Sequence, residues 1–278
     1  MVKTLPEKQR LRLTWAVDQW SDWASDPPLN SRPEFINVLN NGVSNHSFLV
    51  QSEKQLFVIR LDGNNILALN LKREQEWQAQ SIAWRHKLAP RPIYQNTHQG
   101  VFVSEYIQQS PHEIEAEIKT TADLLINIHK LPSSTFKLDI IERARCYKRL
   151  AIVNKPDRKF DIEKIWLLFL PLAKKANELC TKSVLCHNDL LRANRLLYKN
   201  KLIAIDWEYA AMADPFFDLA VVIEGDHLSV DESGQLLNFY IGENNISQAE
   251  ERLLLNRALY RAIDLLWHLA TGIHPQFL

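Results

Sequence analysis

Apolar residues recur at helical spacing from residue 6 to 24, Leu11 and Trp15 among them, with charged positions between, and this pattern predicts an amphipathic helix. Asp26-Pro27-Pro28 and Arg32-Pro33 break it. Three short extended runs follow at 35–39, 47–51 and 55–61, joined by Asn- and Ser-rich turns, and these read as strands. A charged helix is expected over 69–86, and two more strands, 89–94 and 100–107, flank a polar turn. After residue 108 the period changes, with helical spacing through 113–131, 162–180, 248–255 and 257–271. Two short apolar runs, Val184-Leu185-Cys186 and Leu202-Ile203-Ala204-Ile205, interrupt this helical part, and polar residues follow each directly.

A sheet-rich opening followed by a helical remainder predicts an α+β fold of two lobes with a cleft between them. The lobes are expected to be 1–107 and 108–278, joined by a hinge near 105–108. With 46% apolar and 24% charged residues the chain has the composition of a folded globular protein. Lys plus Arg and Asp plus Glu both number 33, so the basic excess that nucleic-acid backbone binding requires is missing. Cys146, Cys180 and Cys186 show no C-x-x-C spacing, which argues against a disulfide framework or structural zinc and fits the reducing cytoplasm. The start is charged, without the apolar stretch of a secretory signal. The longest strongly apolar segment, 165–173, has about half the length needed to span a bilayer and contains Pro171, so no membrane role is expected. Only seven glycines occur, and a phosphate site in such a chain must rely on side chains and helix ends.

The chemistry concentrates in His187-Asn188-Asp189-Leu190-Leu191-Arg192-Ala193-Asn194 and in Ala204-Ile205-Asp206-Trp207-Glu208-Tyr209. Each polar set lies directly after a short strand-like run, where rigid backbone presents it at a loop mouth. Taken singly, His187 reads as a core histidine and Asp189 as a turn residue. Taken together, Asp189, Asn194 and Asp206 supply what phosphoryl transfer needs: a carboxylate for the attacking hydroxyl, and oxygen ligands for magnesium against the phosphates.

These segments resemble the catalytic and metal-binding loops of the aminoglycoside phosphotransferase and choline kinase superfamily, relatives of the protein kinases. The resemblance extends in order along roughly 38–270. Asn41-Gly42-Val43-Ser44-Asn45 resembles a phosphate loop, Phe57-Val58-Ile59-Arg60-Leu61 the third strand, and Arg73-Glu74-Gln75-Glu76 the start of the helix bearing an ion-pair glutamate. The run 124–132 resembles the helix end before the catalytic region, and 206–220 is similar to bacterial choline kinases and thiamine kinases. A two-lobed protein-kinase-like fold is therefore implied, with a small antiparallel-sheet lobe binding nucleotide and a larger helical lobe carrying the catalytic and metal-binding loops.

Residue by residue, the resemblance implies Asp189 as catalytic base, Asn194 and Asp206 as Mg2+ ligands, and ATP as phosphoryl donor. It implies Arg60 on the α- and β-phosphates, a guanidinium replacing the more usual lysine, with Glu76, or next Glu74, as its partner. Ser44 and Asn45 would donate to phosphates, and the backbone around Glu105 and Ile107 would meet the adenine. His187 would brace the loop, and Arg192 would either steady the transferred phosphate or face solvent. Asp218 and His129 would be structural.

A small alcohol is the implied acceptor, choline- or ethanolamine-like, with Trp207, Glu208, Tyr209 and Trp267 as candidates to hold a cationic head by aromatic faces and a carboxylate. Trp267-His268-Leu269-Ala270 keeps only the first tryptophan of the paired W-x-x-W that many choline kinases share. Thiamine kinase is the alternative, then an aminoglycoside or amino-sugar kinase, and last a non-catalytic nucleotide-binding pseudokinase. A monomer or homodimer is expected.

Overall fold

The computed structural model describes residues 5–41, 45–63, 71–110, 117–243 and 248–272. Its internal contacts divide the chain into two units, Met1–Leu67 with Ala89–Gln108, and Ala68–Leu88 with Gln109–Leu278.

The first unit opens on α1 (Glu7–Asp18) and a short 3-10 turn, Trp20–Asp22, inside the helical span expected from sequence. Strands β1 (Glu34–Asn41), β2 (Asn45–Ser52), β3 (Gln55–Asp62), β4 (Pro92–Asn96) and β5 (Val101–Glu105) form one antiparallel sheet in the order β1-β2-β3-β5-β4. The expected strand over 89–94 begins only at Pro92, because Ala89 to Arg91 form the approach to it. Alternation sets the core: Phe48 and Val50 of β2 and Phe57, Ile59 and Leu61 of β3 are buried with Leu13, Ala16 and Val17 of α1. Trp23 meets Phe57 edge-on at 5.3 Å. Arg12 pins α1 to the sheet by donating to the carbonyls of Asp62, Gln99 and Gly100 at 2.6, 2.9 and 3.1 Å.

The second unit is mostly helical. The helix expected over 69–86 is α2 (Arg73–Arg85), and it belongs to this unit. Its polar side chains explain why: Gln75 donates to the Ala210 carbonyl, and Gln78 accepts from Ser134 Oγ at 2.8 Å. Then follow α3 (Glu117–His129), α4 (Ile140–Asn154), α5 (Lys159–Leu179), β6 (Val184–Cys186), β7 (Arg195–Tyr198), β8 (Lys201–Ala204), β9 (Ala211–Ala213), α6 (Pro215–Gly225), α7 (Val230–Ile241) and α8 (Ala249–Thr271). The strands pair as two antiparallel ribbons, β6 with β9 and β7 with β8. Sequence periodicity suggested two helices at 248–255 and 257–271, but α8 is continuous. Asn256, the presumed break, is buried and donates to the Arg252 carbonyl at 3.0 Å, one turn back on the same helix. The core draws Tyr147 from α4, Ile162 and Phe169 from α5, Phe217 and Val221 from α6, and Leu255, Leu259, Ile263 and Leu266 from α8. Among the described residues no helix is long and apolar enough to cross a membrane.

Candidate active site

Asp189 stands in the loop after β6, Asn194 ends the 3-10 turn Arg192–Asn194 before β7, and Asp206 follows β8. The two ribbons thus carry all three on adjoining loops. The Ile205 N–H donates to the Asn194 carbonyl at 2.9 Å, tying the loops together.

Asp218, in the first turn of α6, fixes the catalytic loop. Its Oδ2 accepts the His187 N–H at 2.8 Å, and its Oδ1 accepts the Asn188 N–H at 2.6 Å. His129 Nε2 lies 3.1 Å from Oδ2, and its Nδ1 lies 2.8 Å from the Tyr240 hydroxyl. Both residues therefore brace the loop. His187 is fully buried, with Nε2 3.0 Å from the Ile205 carbonyl and its ring 4.8 Å from that of Trp207. Burial lowers its pKa, so the ring stays neutral and donates from Nε2. Its contacts tie the loop to the segment after β8. Asn188, which sequence reasoning passed over, adopts the left-handed conformation at φ 61° and donates to the Tyr209 carbonyl at 3.1 Å.

Asn194 Nδ2 donates to both the Asp189 carbonyl, at 2.9 Å, and Asp189 Oδ2, at 3.0 Å. With its Nδ2 turned to Asp189, the amide keeps its own oxygen free of those two bonds. Burial raises the Asp189 pKa well above the usual carboxylate range, and the charges of Asp206 and Glu208 add to this, against Arg143 and the Asn194 hydrogen bond. Mutually repelling carboxylates beside an amide oxygen form an all-oxygen donor set. That chemistry fits magnesium, which takes hard oxygen ligands and keeps several waters. Asn194 Oδ1 and the Asp206 carboxylate are the groups suited to hold it.

The other expected residues fall in varied surroundings. Glu208 is buried and ion-paired to Arg73 at 3.0 Å, and Arg73 also meets Glu76 at 2.8 Å, making a buried Glu–Arg–Glu triad. Arg73 was not singled out from sequence, where it is one charge among several at the start of a charged helix. Trp207 corrects its expectation. It is completely buried and its indole N–H donates to the Ala204 carbonyl at 3.0 Å, so it offers no face to a ligand. Tyr209 is buried under the Arg143 guanidinium, 5.1 Å from the ring centre. Trp267 is half-buried against the helical core and meets His268 edge-on at 5.0 Å. Arg192 is exposed and paired with Glu117 at 2.8 Å.

In the first unit, Arg60 is buried on β3 with its guanidinium 5.2 Å from the centre of the Phe102 ring. Asn45 is buried at the start of β2, and Ser44 lies outside the described residues. At the end of β5 the Glu105 N–H donates to Arg91 and the Tyr106 N–H to Leu56, both at 2.9 Å. Among the described residues the Ile107 N–H makes no backbone hydrogen bond.

With this geometry in view, comparison with known proteins is decisive. A family model described as "Phosphotransferase enzyme family" matches residues 36–254. The chain belongs to that family. Within the phosphotransferase family, Protein LicA of Haemophilus influenzae is 27% identical over 243 residues, covering 81% of this chain and 89% of the relative. A thiamine kinase of Escherichia coli is 28% identical over 228 residues, 78% of this chain and 76% of the relative. The solved structure of choline kinase LicA from Streptococcus pneumoniae superposes with a TM-score of 0.72 at 22% identity, covering 86% of each chain. The fold is thus protein-kinase-like, and the chain is a small-molecule kinase.

Proposed function

We propose that this phosphotransferase moves the γ-phosphoryl group of ATP, with magnesium, to the hydroxyl of a small alcohol of the choline, ethanolamine or thiamine kind. The observation that carries the reading is Asp189 gripped through its side chain and backbone by one amide, Asn194, with Asp206 tied into the same loops. The names of the relatives support the acceptor class. Asp189 orients the acceptor hydroxyl and takes its proton as the oxygen attacks. Asn194 holds that carboxylate in one rotamer, and Asp218 fixes the loop beneath it, so alignment is largely set before substrate arrives. Bound magnesium supplies neutralisation of charge on the phosphates. Arg60 and Asn45 serve the phosphates, and the Ile107 N–H serves the adenine ring. Tyr209 and Trp267 remain as aromatic candidates for the acceptor. The three free thiols support work in a reducing cytoplasm.

The test is ADP release from Mg-ATP with choline, ethanolamine, thiamine and amino sugars as acceptors, run beside Asp189→Asn. Acceptor-dependent release is expected in the native protein, falling by about a thousandfold or more in Asp189→Asn, with nucleotide affinity within a few-fold. Equal turnover by the variant would remove Asp189 from the role of base.

A further inference from the structure

A cavity of about 220 Å³ opens in the second unit, walled in part by Lys72 at the cap of α2, by Lys137, Asp139, Glu142 and Arg143 around the start of α4, and by Glu208. Three acids and three cations line it, but the two sets are not matched to each other. Glu208 is held by Arg73 at 3.0 Å. Asp139 caps α4, its Oδ1 accepting the Glu142 N–H at 2.9 Å. Glu142 is bound by Arg145 and, at 2.9 Å, by Arg149. Each of the three acids therefore has a partner other than the cations of the lining. Among the described residues no carboxylate lies within ion-pair distance of Lys72, Lys137 or Arg143. Arg143 gives one N–H to the Tyr209 carbonyl at 3.3 Å, and the rest of its five-donor fork has no hydrogen-bond partner among the described residues. The lining is formally balanced, three cations against three acids, and the cations are the members without an ion-pair partner.

The cavity also adjoins the reacting end of the site. The Tyr209 carbonyl that Arg143 meets is the one Asn188 holds at 3.1 Å, and Asn188 immediately precedes Asp189. A planar guanidinium with free donors, flanked by two lysines, matches the geometry and charge of an oxyanion.

We infer that this cavity binds an oxyanion, carboxylate or phosphate, carried by the acceptor alcohol. The acceptor is then a hydroxylated molecule with an acidic group, and zwitterionic if it also bears the ammonium of choline-like compounds. This rests on the kinase reading above for the word acceptor, while the anion site itself does not.

Two experiments separate these. Calorimetric titration with inorganic phosphate, in the absence of nucleotide, compares the native protein with Lys72→Met/Lys137→Met. Both lysines are exposed, so the variant should fold, and its circular dichroism melt checks that. Phosphate affinity should fall at least about tenfold in the variant; equal affinity, or no binding to the native protein, overturns the inference. The second measures kcat/KM for matched acceptors: ethanolamine against serine, which adds a carboxylate, and choline against carnitine, which adds a carboxymethyl group. The acidic member of at least one pair should be preferred by about tenfold or more, and Arg143→Met should bring that ratio toward one. Preference for the plain member of both pairs overturns the assignment to the acceptor. Lysine-dependent phosphate binding with no turnover of any acceptor would uphold the anion site and sink the kinase reading instead.

Discussion

Asp218 has no exposed surface, and each of its oxygens accepts a backbone N–H of the catalytic loop, from His187 at 2.8 Å and Asn188 at 2.6 Å. Removing the carboxylate leaves two buried N–H groups without partners, and each such group costs about 1–3 kcal/mol. Asp218→Ala should accordingly lower the unfolding free energy by about 3 kcal/mol, read from urea midpoints at constant slope. The loop it frees carries Asp189, so kcat should fall while the nucleotide KM changes little. A stability loss under about 1 kcal/mol would mean that water or relaxation satisfies both N–H groups. At this level the sequence was informative where a side chain acts within its own motif. Asp189 and Asn194 were singled out together within one motif, though not the hydrogen bonds that join them, and Asp218 was read as structural. Arg73, Asn188 and Arg143 were not read, because their importance lies in partners 135, 21 and 66 residues away. Trp207 was misjudged for a related reason: a tryptophan beside charged residues looks the same in sequence whether its ring turns to a ligand or to the core.

Helices α6 and α8 show which elements a linear pattern reveals. The eight residues Phe216 to Ile223 of α6 are all buried, so the helix has no polar face and no periodic signal to detect. Its start is nevertheless marked: Asp214 accepts the Phe216 N–H at 3.0 Å ahead of Pro215 at the first helical position. Likewise α4 and α7, also unread, open on Asp139 and Ser229 with Glu three residues later, and Ser229–Glu232 forms a complete capping box. Those start signals were present and outweighed by weaker periodicity. Near its end α6 is fastened to α8 by Glu224, which binds Arg257 and Arg261 together. Partial burial works against ionisation of Glu224, but the two arginines outweigh it and hold the pKa below the ordinary glutamate value. A depressed carboxylate contributes stability at pH above its unfolded pKa and loses it as pH falls through the folded value. Glu224→Gln should therefore cost about 1 kcal/mol at neutral pH, a figure kept small because one partner, Arg261, is largely exposed. The urea midpoints of native and variant protein should converge below about pH 4. A gap that persists there would assign the cost to packing and not to charge.

Across the whole chain, the order of segments was legible: a leading helix, an antiparallel sheet, then helices interrupted by two loop-bearing ribbons. The allegiance of α2 was not, since its ties to Ala210, Ser134 and Glu208 arise only on folding. What those ties create is a second unit in which burial, and then the charges of Asp206 and Glu208, raise the cost of ionising Asp189. Such repulsion destabilises the free protein and is relieved by a divalent cation, so metal and nucleotide should register as global stability. A ligand that binds only the folded state adds about 2.7 kcal/mol at a hundred times its dissociation constant. Asp206→Asn tests this cleanly. The position is left-handed, at φ 63°, which asparagine tolerates and alanine does not, so the change removes charge without adding backbone strain. Without ligand, the variant should melt at or slightly above the native temperature, because one repelling carboxylate is gone. With magnesium and a non-hydrolysable ATP analogue the order should reverse, the native protein rising by several degrees and the variant by little. If the two proteins respond alike to magnesium and nucleotide, Asp206 does not hold the metal, and the donor set centred on Asn194 would need a different partner.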